Sequence, residues 1–446
     1  MTIKKVLIAN RGEIAVRIIR TLKRMGLESA VVFHAVDAGS PAVALADEAV
    51  ELTGDLPVAA YLDIEQVVAA AKTSGADAIH PGFGFLAENA AFANRLEKEG
   101  LTFIGPTKDN ILLMGDKIRA RAFCLEHGFP LAPSAIDEGD ENGFVDAAKR
   151  IGAPLLIKAA AGGGGKGMQI VRDLADLETA IDLARKEAMR SFGNGAVYAE
   201  RFVEAPRHIE VQILADGHGN VVHLGERECS IQRRFQKIIE EAPSPALDNV
   251  KRQEICEVAV RIAKTAGYVN VGTVEFIYAP DGTFYFLEMN TRIQVEHPVT
   301  EMITGLDLVE QQVRVAEGAA LAFSQNEIKM TGHALEVRLY AEDPAHEFAP
   351  ATGHLLVYDL PEQMLRIDNG IYEGQTVTAS FDPMLAKLIA HCETRELAIE
   401  KVSQSLAAST VLGVRTNRDF LRRVLSHPAF ASGETHTGFL EAHSDE

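Results

Sequence analysis

Gly162-Gly163-Gly164-Gly165-Lys166-Gly167 sets five glycines and a lysine just beyond an apolar run that ends in Lys158. Consecutive glycines let backbone N–H groups turn toward one anion without Cβ clashes. The Walker A spacing is missing, so a flexible hairpin tip is the alternative for the run alone. Lys158 favours the phosphate reading, because a lysine closing an apolar strand there sets a point charge on the same group. Lys117, in Met114-Gly115-Asp116-Lys117, is a second candidate of this kind, although alone it is an ordinary surface lysine.

Glu275, Glu288 and Asn290 form a second group. Strand patterns at 272–278 and 283–289 flank Pro280-Asp281-Gly282, a hairpin signal. With Asp281-Gly282 as a two-residue turn, 280 faces 283 and 275 faces 288, and Asn290 shares the face of Glu288. Like charges directly opposite destabilise a hairpin. A hard cation removes that conflict, and two carboxylates with an amide oxygen suit Mg²⁺ beside phosphates. A solvated edge is the alternative, and a one-residue slip breaks the pairing; the upstream glycine loop favours the metal. The third group, Arg292, Gln294 and Glu296, sets an arginine fork and an amide against a carboxylate. Such a cluster can hold a small anion and offer it a base, with a structural ion-pair network as the alternative. His80, His208, His223 and His297 show no H-x-x-x-H spacing, so no zinc is assigned.

The elements that must position these groups follow from periodicity. Apolar runs at 5–9 and 30–33 and a short strand at 78–80 alternate with helical spacing at Ile14, Ile18, Leu22 and Met25 and at 64–71 and 88–98. This order predicts a parallel sheet covered by helices. After the first strand stands Asn10-Arg11-Gly12-Glu13 and not G-x-G-x-x-G, which disfavours a nicotinamide cofactor. Residues 130–143 read as a linker. A small unit follows, with strands at 154–158, 168–171 and 196–202 and a helix at 176–189. Ile209, Val211 and Ile213 then alternate with Glu210 and Gln212, which predicts a half-buried strand. Helices are expected at 252–266 and 395–407.

The 446 residues suggest roughly three domains. Apolar residues at 47% and charged residues at 24% indicate a globular chain. The net charge of −19 opposes binding to nucleic acid or an anionic membrane. No apolar stretch reaches the ~18 residues of a spanning helix, and the first apolar run is too short for a signal peptide. Cys124, Cys229, Cys256 and Cys392 form no short-spaced pair, which favours a reducing, cytoplasmic location.

Together these residues resemble the biotin carboxylase family of the ATP-grasp group. The resemblance runs from Asn10-Arg11-Gly12-Glu13-Ile14-Ala15 through His80-Pro81-Gly82-Phe83-Gly84-Phe85, the glycine loop, Arg207-His208-Ile209-Glu210 and Gln232-Arg233-Arg234-Phe235-Gln236-Lys237. Arg292-Ile293-Gln294-Val295-Glu296-His297-Pro298 is its most specific part. The resemblance implies an α/β and α+β fold: a Rossmann-like domain at 1–113, an ATP-grasp lid at 131–203, and a C-terminal ATP-grasp and biotin-binding domain at 204–446. It implies that ATP and bicarbonate give carboxyphosphate, whose carboxyl group passes to N1′ of biotin. Lys117, Lys158, Gly163, Gly164, Gly165, Lys166 and Gly167 would then hold phosphates. Glu200, Arg201, Phe202 and Val203 would meet adenine, with His208 near the ribose and Gln232 on the nucleotide. Glu275, Glu288 and Asn290 would bind two Mg²⁺ or Mn²⁺. Lys237, Arg292, Gln294 and Val295 would hold bicarbonate, Glu296 would deprotonate it, and Arg338 would stabilise the biotin enolate near Asp382.

Two positions depart from the family. Phe235 stands where histidine or asparagine is common, so a nucleotide hydrogen bond is lost and packing against an apolar neighbour is expected instead. Phe83 stands where tyrosine is usual near biotin. No Ala-Met-Lys-Met segment is present, so biotin is expected on a separate carrier protein or domain, with a carboxyltransferase as further partner and a homodimer as the assembly. Segments around Arg338 and Asp382 look closest to acyl-CoA carboxylase α-subunits. Another ATP-grasp ligase would share the lysines and glutamates without needing Arg292, Gln294, Glu296 and Arg338 together. A non-catalytic scaffold subunit would be expected to lose a metal carboxylate or Glu296.

Overall fold

The computed structural model describes residues 2–137, 141–159, 168–193 and 195–443. Five parallel strands form the first sheet, in the order Glu48–Leu52, Glu28–His34, Lys5–Ile8, Ala78–His80, Thr102–Phe103. The apolar residues of Lys5–Ile8 are buried on both faces, as a parallel strand between helices requires. The helix Gly12–Met25 follows and buries Ile14, Ile18, Ile19 and Leu22 along one stripe. Strand order reverses between Lys5–Ile8 and Ala78–His80, so their carboxyl ends open a crevice there. The Asn10 amide crosses it, donating to the carbonyls of Pro81 at 2.7 Å and Phe83 at 2.8 Å. Gly82, at φ +61°, allows the approach, since a Cβ would lie 2.8 Å from Asn10 Nδ2.

A four-stranded antiparallel sheet follows, in the order Ser134–Ile136, Val197–Arg201, Leu155–Ala159, Gln169–Val171. The helices Glu141–Ile151 and Leu177–Phe192 bury Phe144, Ala148, Leu177 and Ile181 in its core. The segment expected as a linker at 130–143 therefore contains a strand and the start of a helix. Pro130 and Pro133 stand before the strand Ser134–Ile136, whose pairing with Val197–Arg201 the local composition does not show.

The largest sheet has eight antiparallel strands, in the order Phe284–Asn290, Asn270–Tyr278, Arg207–Ala215, Val221–Arg233, Gln236–Ala242, His333–Tyr340, Met384–Cys392, Arg366–Asn369. Arg207–Ala215 is buried on both faces and not half-buried as its alternation predicts. Its polar face meets the buried Arg227 instead of water. No helix among the described residues is long and apolar enough to cross a membrane.

Candidate active site

One cleft of about 1440 Å³ runs between the four-stranded sheet, the large sheet and the crevice of the first sheet. Lys117, Lys158, Glu200, Arg201, Phe202, Val203, His208, Gln232 and Lys237 line it. So do Glu275, Glu288, Asn290, Arg292, Gln294, Val295, Glu296, Arg338, Phe83 and Asp382. Gly163, Gly164, Gly165, Lys166 and Gly167 lie outside the described residues.

Glu275 faces Glu288 across the hairpin, as the sequence predicts, but by a different route. The loop has three residues, closed by Ala279 N–H on the Thr283 carbonyl at 2.8 Å, with Gly282 at φ +85°. That shifts the register near the turn, where Tyr278 faces Phe284 and Phe276 faces Phe286. A bulge at Leu287 shifts it back, so Glu275 faces Glu288 and Thr273 faces Asn290. Without the bulge the two glutamates would point to opposite sides of the sheet.

Each of these carboxylates meets a lysine. Lys117 Nζ lies 2.7 Å from Glu288 Oε2, and Lys237 Nζ 2.9 Å from Glu275 Oε1. Glu275 also accepts from Asn290 Nδ2 at 2.8 Å and Gln294 Nε2 at 2.7 Å. Burial would raise the Glu275 carboxyl pKa, but Lys237 and His208 hold it well below the usual range. His208 Nε2 lies 3.1 Å from Glu275 Oε2. Burial opposes charging of this imidazole, yet Glu275 and Glu210 together outweigh it and the pKa is pushed up to about 9. Hard oxygen donors of net negative charge, already drawing two ammonium groups, fit a divalent cation.

The other end of the cleft centres on Lys237. Its ammonium donates to Glu210 Oε2 at 2.5 Å, Glu275 Oε1 at 2.9 Å and Glu296 Oε1 at 2.7 Å. Arg338 Nη2 donates to Glu296 Oε2 at 2.9 Å and lies 2.6 Å from Glu240 Oε1. Burial would raise the Glu296 pKa, but Lys237 and then Arg338 keep it lowered, so the group is ionised near neutrality. Arg292 does not pack on Glu296 as its spacing suggests. Its Nε donates to Glu88 Oε2 at 2.8 Å and its Nη2 to Asn290 Oδ1 at 2.8 Å, because its strand-end position directs it toward the first sheet. Asp382 sits at the open end and accepts the Met384 N–H at 2.9 Å.

At the opposite end Lys158 donates to Glu200, and Arg121 lies 3.5 Å from the same carboxylate. Arg121 belongs to none of the groups the sequence marks. Its signal is the i,i+4 spacing from Lys117 within Lys117–Glu126, which puts both cations on one helix face. Phe235 is 63% exposed at φ +66°, beside Arg234 at φ +51°. The expected apolar packing is absent, because a two-residue turn between Arg233 and Gln236 points the ring into the cleft. His80 and His297 are core residues. Burial pushes His80 down to about 4 and His297 well below its ordinary value.

The description "Biotin carboxylase, N-terminal domain" matches residues 2–111, and "Biotin carboxylase C-terminal domain" matches 336–442. Between them, "Carbamoyl-phosphate synthase L chain, ATP binding domain" matches 116–324. "Biotin carboxylase 2" of Bacillus subtilis is 49% identical over 98% of this chain and 99% of its own length. The chain belongs to the biotin carboxylase family. The mitochondrial methylcrotonoyl-CoA carboxylase subunit alpha of Rattus norvegicus, another relative, is 47% identical over 99% of this chain, which spans 62% of that subunit. The chain thus covers just under two thirds of such alpha subunits. The biotin carboxylase domain of Hydrogenobacter thermophilus 2-oxoglutarate carboxylase, solved as a dimer with MgADP, ADP and bicarbonate, superposes with a TM-score of 0.94. It is 43% identical and covers 100% of this chain and 98% of that one. The three-part architecture is thus the ATP-grasp fold of biotin carboxylases.

Proposed function

We propose that the chain carboxylates biotin at N1′, using ATP and bicarbonate by way of carboxyphosphate. One observation carries this reading: an ionised Glu296 held between Lys237 and Arg338, in the same cleft as the opposed pair Glu275 and Glu288. Bicarbonate is a weak nucleophile and needs a base beside cationic groups. Glu296 would accept its proton while Lys237, Arg292, Gln294 and Val295 hold its oxygens. Arg338 would then stabilise the biotin enolate, with Phe83 and Asp382 at the approach. Lys117, Lys158, Gly163, Gly164, Gly165, Lys166 and Gly167 would hold phosphates, and Glu200, Arg201, Phe202, Val203, His208 and Gln232 the nucleoside. Glu275, Glu288 and Asn290 would hold two Mg²⁺ or Mn²⁺, which supply charge neutralisation at the phosphates.

The boundaries 1–113, 131–203 and 204–446 belong to the same reading. The middle unit acts as a lid that excludes water from carboxyphosphate. Biotin arrives on a carrier protein or domain, a carboxyltransferase takes the carboxyl group onward, two copies pair, and the setting is cytoplasmic. Purified protein should cleave ATP in a bicarbonate-dependent way, faster with free biotin, and fix labelled bicarbonate into carboxybiotin. ATP cleavage indifferent to bicarbonate would refute the reading.

A further inference from the structure

The segment at 291–296 joins the strand Phe284–Asn290 to the helix His297–Thr304 and has no ladder of its own. Two cations hold it from behind. Arg227 and Lys387 come from separate strands of the large sheet, have no exposed side-chain surface and do not line the cleft.

Arg227 Nη2 donates to Gln294 Oε1 at 2.8 Å. Its other nitrogens are committed to Glu210 Oε1 at 2.5 Å, Gln212 Oε1 at 2.7 Å and Thr300 Oγ1 at 2.9 Å. An amide whose oxygen is fixed this way can turn only its NH₂ group to the other side. Gln294 Nε2 does so, reaching Glu275 Oε1 at 2.7 Å at the cleft. A donor and not an acceptor thus faces the place where an anion would sit.

Lys387 Nζ donates to the Val295 carbonyl at 2.7 Å and lies 3.1 Å from Glu13 Oε1. A loop carbonyl outside the sheet needs such a partner, and a charged donor makes the bond a strong one. The Val295 C=O and the Glu296 N–H share one rigid peptide plane. Fixing the carbonyl therefore fixes the plane from which the Glu296 Cα extends.

We propose that Arg227 and Lys387 are positioning residues for the bicarbonate step, setting the Gln294 donor and the Val295–Glu296 peptide without touching substrate. This rests on the bicarbonate reading given above. It predicts a selective loss. In Arg227→Lys, which keeps the charge but loses the planar fork, the KM for bicarbonate should rise roughly tenfold while that for ATP stays within about twofold. Lys387→Met should do the same, and Lys387→Arg should recover most of the loss. If the single Lys387→Met variant fails to fold, the charge-balanced pair Lys387→Met with Glu13→Gln keeps the test, because the uncompensated carboxylate is gone.

The assay is bicarbonate-dependent ATP cleavage, with each substrate titrated at saturation of the other and melting temperatures recorded alongside. Parallel rises in both KM values, or a bicarbonate KM within twofold of the parent in a folded variant, would overturn the positioning role. Parent protein whose ATP cleavage ignores bicarbonate would sink the underlying reading first, and this role with it.

Discussion

Glu240 should make the protein less stable as pH rises through neutrality. Its carboxyl is fully buried, with Arg338 Nη2 2.6 Å from Oε1, and it faces Glu336 across the strand pair. Burial pushes its pKa from 4.5 up to about 7, against the pull of Arg338. Between those values the folded protein binds a proton that the unfolded chain has released, so stability falls with rising pH. At about 1.4 kcal/mol per unit, the shift amounts to on the order of 3 kcal/mol, most of which falls between about pH 5 and pH 8. Glu240→Gln keeps the shape and removes the titration. It also takes an ionic partner from Arg338 at every pH, so the slope and not the level is the readout. Urea midpoints across this range should decline less steeply in Glu240→Gln than in the parent. Parallel slopes would refute the reasoning, since they would mean that Glu240 titrates alike in the folded and unfolded chain.

Glu288→Gln should cut metal-dependent turnover at least tenfold while changing stability by no more than about 1 kcal/mol, because its Lys117 pair is partly exposed; unchanged activity and Mg²⁺ dependence would rule out a metal role. Arg338→Ala should abolish carboxylation of free biotin yet keep some biotin-independent ATP cleavage. It should cost about 3–5 kcal/mol of stability, since Glu240 and Glu296 lose a buried partner; normal biotin carboxylation in this variant would defeat the assignment. Phe235→Gly should stabilise the nucleotide-free protein by about 0.5–1 kcal/mol in thermal melts, as relief of a left-handed backbone outweighs the entropy of glycine; a loss of stability would show that the exposed ring packs after all.

Much of the site was legible because its chemistry is written in local runs. Strand alternation puts Glu288 and Asn290 on one face, and the segment 292–296 carries its arginine, amide and carboxylate within one short stretch. The strands 5–8 and 78–80 and the helices 64–73 and 395–408 follow from apolar spacing, which depends only on neighbours along the chain. The sequence predicts the Glu275 and Glu288 pairing through a two-residue turn that the structure does not contain. A three-residue loop and a bulge each shift the register by one residue, and the two shifts cancel.

What the sequence by itself determined, then, is the set of reacting groups and the elements that carry them, because residue type and period are properties of the chain alone. The tertiary structure decided which charges meet. Arg292 turns to Glu88, some two hundred residues away, and leaves Glu296 to Lys237 and Arg338. Arg227, Lys387 and Glu240 sit in strands with nothing local to mark them as partners of the site. A buried charge must find its partner in space, and only the packing of three sheets around one cleft sets which partner lies within reach.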